Sequence, residues 1–133
     1  MAASAFAQTG PAPYGAPITM EQARKTMTAA EAEANKNNWQ VVISIVDNGG
    51  HLVALHRLEA QTASIDIATG KATTAAAFRR PSKSLEDGLA AGGAGLRILS
   101  VRGATALQGA VPGVMASQDE HVAMAGAAAV AAK

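Results

Sequence analysis

Val41 to Val46 is an almost unbroken run of β-branched apolar residues, and it leads directly into Asp47-Asn48-Gly49-Gly50 and then His51 to Leu58. A run of this kind reads as a strand covered on both faces. Asn48-Gly49 is the strongest short hairpin signal in the chain, because both central residues of a type I′ turn need positive φ. The expectation is an antiparallel pair, Val41–Val46 against His51–Leu58, at the centre of the fold.

The rest of the chain supplies helices to cover that pair. Thr19-Met20-Glu21-Gln22 has the form of a capping box, in which Thr19 caps the Gln22 amide and Gln22 reaches back. Met20, Ala23, Met27, Ala30 and Ala34 then recur at helical spacing until Asn35-Lys36-Asn37-Asn38 stops the helix. Ser64 to Arg80 is helical in pattern, with Ile65, Ala68, Ala72, Ala75 and Ala76 on one side and Pro81 as its end. A short helix restarts at Ser84-Leu85-Glu86-Asp87 and closes at Gly92-Gly93, and Leu96 to Val101 reads as a further strand. An irregular stretch follows to Pro112, and Ser117-Gln118-Asp119-Glu120 is a second capping box opening a terminal helix through Ala123, Ala127 and Val130. The order predicts a single α/β domain of the α+β type, an antiparallel sheet flanked by helices, over residues 18–133. Residues 1–17 are read as a flexible tail, with three prolines and two glycines between Thr9 and Pro17 marking a linker.

Composition limits the core. The 133 residues include 33 alanines but only 25 Leu, Ile, Val and Phe together, so the large side chains available for burial are few. Small cores commonly gain burial by self-association, and a homo-oligomer is expected. Eleven basic against ten acidic side chains, with no run of like charge, leave no electrostatic footprint for nucleic acid. No apolar run approaches the length of a membrane helix, so no membrane insertion is expected. With no cysteine, disulfides, thiolate nucleophiles and Cys-ligated zinc are excluded. Ala5-Phe6-Ala7 before Gln8 has the small-residue pattern of a signal-peptidase site, which places the protein in the periplasm or outside the cell if it is a signal remnant, and in the cytoplasm otherwise.

The segments Asp47-Asn48-Gly49-Gly50, His51-Leu52-Val53-Ala54-Leu55-His56-Arg57, Gly70-Lys71-Ala72-Thr73-Thr74-Ala75-Ala76-Ala77-Phe78-Arg79-Arg80-Pro81-Ser82, Leu107-Gln108-Gly109 and Ser117-Gln118-Asp119 occur in an order and spacing that resembles the GlcG/HbpS-like family, also called DUF336. The resemblance implies an α/β fold and, since the family includes haem-binding and corrinoid-associated modules, a bound tetrapyrrole. Gly109 to Ser117 departs from the family pattern by roughly a dozen missing residues, about two strands' worth. That departure predicts an open sheet edge or a pocket lacking one wall.

The candidate site residues are few. His51 and His56, five apart on one strand, fall on opposite faces and serve as alternative metal ligands rather than as a pair. His121 lies in the first turn of the last helix. Phe78-Arg79-Arg80-Pro81-Ser82-Lys83 gathers cations beside an aromatic at a helix end. Arg79 or Arg80 can pair with a carboxylate, haem propionates included, while the alternative is cationic capping of the helix. Ser82 is a ligand contact or a cap for the short helix. Lys71 is a catalytic candidate if it faces the core and a surface lysine if it snorkels. Asp47 is an acid or metal ligand, or a turn former, and Asp119 and Glu120 fit capping alone. No hydrolase triad, carboxylate pair, phosphate loop or zinc spacing is present, so enzymatic activity is not the leading expectation. Three readings follow. The first is a small oligomeric haem-binding protein using His51 or His56 with Phe78, Arg79, Arg80 and Ser82; the second is an enzyme or accessory factor for a small carboxylated metabolite using Lys71 and Arg79. A structural or sensory oligomer without small ligand is the third.

Overall fold

The computed structural model describes residues 13–112, 115–117 and 120–131. Its elements are helix α1 (Met20–Lys36), strands β1 (Val42–Val46) and β2 (Leu52–Arg57), helices α2 (Ala63–Phe78) and α3 (Ser82–Ala90), a 3₁₀ segment (Gly93–Ser100), strands β3 (Ala110–Val111) and β4 (Met115–Ser117), and helix α4 (Glu120–Ala131).

Helix α1 begins where its local chemistry dictates. Thr19 Oγ1 accepts from the Gln22 amide at 3.1 Å and Gln22 Oε1 accepts from the Thr19 amide at 2.9 Å, so two orphan donors are satisfied reciprocally. Ala23, Met27, Ala30 and Ala34 are buried as the spacing predicts, but Met20, at the first position, is 52% exposed. Met20 lines a surface groove beside Ala54 and His56 of β2 rather than the core.

The sheet has the order β2-β1-β4-β3, antiparallel throughout. All five residues of β1 are buried, because helices cover both faces. Val41, Ile43 and Ile45 meet α1 and the Val122–Ala123 turn of α4 on one side. Val46 meets Ala72, Ala75 and Ala76 of α2 on the other, and Ser44 bonds to Thr69 at 3.1 Å. Alanines at the α1–α4 contact let the two helices lie close together, so an alanine-rich chain fills this layer by approach rather than by bulk.

Several expectations change. The hairpin is not a two-residue type I′ turn: only Gly50 among Asp47–His51 has positive φ, at 83°. The Gly50 amide donates to the Asp47 carbonyl at 3.0 Å and the Asp47 amide to the His51 carbonyl at 2.8 Å, a longer loop closed by a left-handed glycine. Asp47 decides between the two, since its Oδ1 accepts from the amides of Gly49 at 2.8 Å and His51 at 3.0 Å. His51 consequently lies in the turn rather than on the strand with His56.

Leu96–Val101 is not a strand. Gly92 and Gly93, both at positive φ, turn the chain tightly, and Gly95 packs against the Gly88 backbone so closely that a Cβ there would lie 1.9 Å from the Gly88 oxygen. The chain winds into a 3₁₀ segment whose Leu96 and Leu99 face outward. Helix α2 ends at Phe78, three residues before Pro81: Arg79 takes the left-handed conformation while the Arg79 and Arg80 amides close on Ala76 and Ala75, both at 3.3 Å. Helix α3 starts at Ser82, two residues earlier than Ser84.

The shortened segment before α4 still forms two strands, cut to two and three residues. Ala110 and Val111 pair with Ala116 and Met115, and β4 pairs with Ile43 and Ser44 of β1. The second capping box overlaps β4 at Ser117; Gln118 and Asp119 lie outside the described residues.

Candidate functional site

Residues 20, 24, 27 and 31 of α1 succeed one another at intervals of four, three and four, one helical face. That face lies along the outer edge of the sheet, where β2 contributes Ala54 and His56. Both belong to the α1 side, because their partners in β1 are Ile45 and Ile43, which point into the α1–α4 core. Between them runs a groove of about 400 Å³ lined by Met20, Ala23, Arg24, Met27, Thr28, Glu31, Ala54 and His56. Its size is within the range of small-molecule sites, and its floor is methionine and alanine.

The one imidazole in the groove is fixed. His56 Nδ1 is hydrogen-bonded to Glu31 Oε1. A carboxylate at Nδ1 selects the tautomer protonated there and leaves the Nε2 lone pair as the donor, the arrangement in which a carboxylate orients a metal-binding histidine. Arg24 adds a cation to the same wall. Among the described residues there is no group of three or more His, Cys, Asp or Glu arranged to hold a bare metal ion. Among the described residues the groove therefore offers one half-exposed imidazole, with Met20, Ala23, Met27 and Ala54 as its apolar lining and Arg24, Thr28 and Glu31 as its polar lining.

His51 is elsewhere. Its side chain is 83% exposed and lies 3.4 Å from Asp47 Oδ1. Asp47 is held below the ordinary carboxylate value of 3.8, first by the His51 amide, against a smaller opposing desolvation, and further by the Gly49 amide and the His51 ring. This turn is tied to the end of α2 through residues 14 and 15. Asn48 donates to the Gly15 carbonyl at 2.8 Å, Tyr14 donates to the Ala77 carbonyl at 3.0 Å, and the Arg79 guanidinium lies 4.7 Å from the centre of the Tyr14 ring. Arg80 Nε contacts the Phe78 carbonyl at 3.4 Å. Asp47, His51, Phe78, Arg79 and Arg80 thus lie at the end of the molecule where the turn meets α2, which covers the sheet face opposite to His56.

Ser82 is fully buried, and its Oγ accepts from the Ala110 amide at 3.0 Å, which joins α3 to β3. Lys71 is only 3% exposed and does not snorkel; its Nζ donates to the Gln108 carbonyl at 3.0 Å. The side chain of His121 lies outside the described residues. Glu31 and Arg24 carry no motif, but their helical spacing with Met20 and Met27 was available in the sequence. The pairing of Glu31 with His56 was not, because the two lie 25 residues apart.

A family model described as "Haem degrading protein HbpS-like" matches residues 18–132. The chain belongs to the HbpS-like family. Among curated relatives of this HbpS-like chain, Protein GlcG of Escherichia coli K12 is 39% identical over 71 residues, 53% of each protein, so the chain spans about half the length of the E. coli relatives it matches. An uncharacterised 15.0 kDa protein of Citrobacter freundii is 32% identical over 103 residues, 75% of this chain and 72% of that one. The crystal structure of a double-mutant HbpS from Streptomyces reticuli superimposes with a TM-score of 0.77 at 28% identity, covering 96% of this chain and 97% of that one. The α/β architecture with an antiparallel sheet is that of its solved relatives. No helix among the described residues is long and apolar enough to cross a membrane.

Proposed function

We propose that this HbpS-like chain is a small binding protein for haem or a related tetrapyrrole, with His56 as the iron ligand. The observation that carries the reading is the His56–Glu31 pair in a groove floored by methionine and alanine, a lone imidazole whose Nε2 is left available and whose orientation is set by a carboxylate. The described residues fit such a group: Met20, Ala23, Met27 and Ala54 offer apolar surface to a macrocycle, and Arg24 offers a cation to a propionate. The family's description supports the same class of ligand. A bound haem would supply iron-centred redox and ligand-exchange chemistry that no side chain here provides. The chain's own residues bind, orient and shield one face of it.

Under this reading Arg24 takes the anion-binding role rather than Arg79 and Arg80, which end the helix on the other face of the sheet. A homo-oligomer completes the proposal, since the groove opens along the unpaired edge of β2 and a second subunit would supply the missing wall. A periplasmic or secreted location accords with the Ala-rich start, while Tyr14 and Gly15, read from the sequence as part of a tail, bond to Ala77 and Asn48. Haemin titration of the purified protein, followed in the visible spectrum, tests the reading. A saturable Soret shift is expected, weakened about 10- to 100-fold in Glu31→Gln. A Glu31→Gln protein that binds haemin as tightly as the parent would contradict the role of the pair.

A further inference from the structure

A second cleft, of about 450 Å³, opens where α1 hands over to β1 and β2 ends, lined by Asn35, Asn38, Trp39, Gln40, Arg57, Leu58 and Glu59. The two chain segments are held together there by the Leu58 amide, which donates to the Val41 carbonyl at 2.8 Å. Its chemistry differs from that of the His56 groove: an indole and a leucine form the apolar part, and three carboxamides, one guanidinium and one carboxylate converge on it. All five polar residues are solvent-exposed, and no hydrogen bond or ion pair of their side chains to another described residue holds them away from an incoming ligand. Arg57 and Glu59 in particular, opposite charges two residues apart, do not neutralise each other, although salt bridges form elsewhere on this surface.

Two backbone positions reinforce the arrangement. Asn38 and Glu59 both have φ of 55°, and at Glu59 a residue with no local preference for the left-handed region holds it. A glycine would hold that bend without strain.

We propose that this cleft binds a small zwitterion of the free amino-acid type, with its carboxylate on Arg57 and its ammonium on Glu59. The carboxamides of Asn35, Asn38 and Gln40 donate to and accept from its remaining polar atoms, and Trp39 and Leu58 cover its apolar part. A net-neutral ligand with separated charges matches a net-neutral cleft with separated charges. A simple anion or cation would leave one wall unmatched.

Trp39 is the only tryptophan of the chain, so its fluorescence reports on the cleft directly. The protein is titrated at millimolar concentrations with glycine and L-glutamine as zwitterions, and with acetate, methylammonium and glucose as probes of each charge alone and of neither. A saturable change with a zwitterion and not with the other three is expected, with affinity falling about tenfold in Arg57→Gln and in Glu59→Gln. Glu59→Gly is expected to raise Tm while losing the zwitterion response, which separates binding from folding. Absence of a saturable response to either zwitterion overturns the proposal. So does an equal response to acetate, methylammonium or glucose, or undiminished binding in both charge variants.

Discussion

Thr26 is fully buried in the face of α1 that meets the core, and among the described residues its Oγ1 has no hydrogen-bond partner. Thr74 in α2 shows the usual remedy, donating to the carbonyl four residues back at 2.7 Å. Leaving a buried hydroxyl unsatisfied costs about 1–3 kcal/mol. Valine has the same shape and nearly the same helix propensity, so Thr26→Val removes the desolvated group without changing volume or backbone preference. A gain of roughly 1–2 kcal/mol is expected, which for a chain of this length raises Tm by about 3–8 °C. Thr26→Ser keeps the hydroxyl and deletes a buried methyl, so it is expected to lose about 1 kcal/mol. Urea unfolding of the three proteins measures both differences. A Thr26→Val protein less stable than the parent would refute the reasoning, because it would show that the hydroxyl is satisfied in solution.

Three further outcomes follow from the geometry. Gly95→Ala places a Cβ 1.9 Å from the Gly88 oxygen, backbone that cannot turn aside, and is expected to destabilise the α3–3₁₀ contact by about 1–3 kcal/mol in urea unfolding. Asp47 has a folded pKa below its ordinary value, so its contribution to the hairpin is present above about 3.8 and is lost as pH falls through the lower folded value. Amide shifts of Gly49 and His51 followed by NMR are expected to show that acid transition in the parent and not in Asp47→Asn. Light scattering at micromolar concentration is expected to give a mass above that of one chain, and a monomer there would remove the second-subunit wall from the account.

Legibility in the sequence followed the range of the interactions. The Thr19–Gln22 box and the β-branched run of β1 are decided within a few residues, and both form as expected. The turn after β1 is equally local but holds two competing solutions, and the Asp47 carboxylate bonds to the Gly49 and His51 amides favour the longer loop over Asn48-Gly49. Leu96–Val101 has the composition of a strand, but a strand needs an edge to pair with, and the approach of Gly95 to Gly88 prevents extension. Lys71 was ambiguous because α2 is small and apolar around much of its circumference, so no polar face marks the exposed side. His56 was visible as a candidate, but its partner depends on the β1–β2 register and on which helix covers that face. The cleft at Trp39 joins segments about twenty residues apart and leaves no motif at all.

The proposed iron ligand is His56 rather than His51. Haemin titrations of His56→Ala and His51→Ala, compared with the parent by the visible spectrum, decide between them. Loss of the saturable Soret shift in His56→Ala, with His51→Ala unchanged, is the predicted result. Retention of the parent spectrum and affinity in His56→Ala would contradict the assignment of the groove.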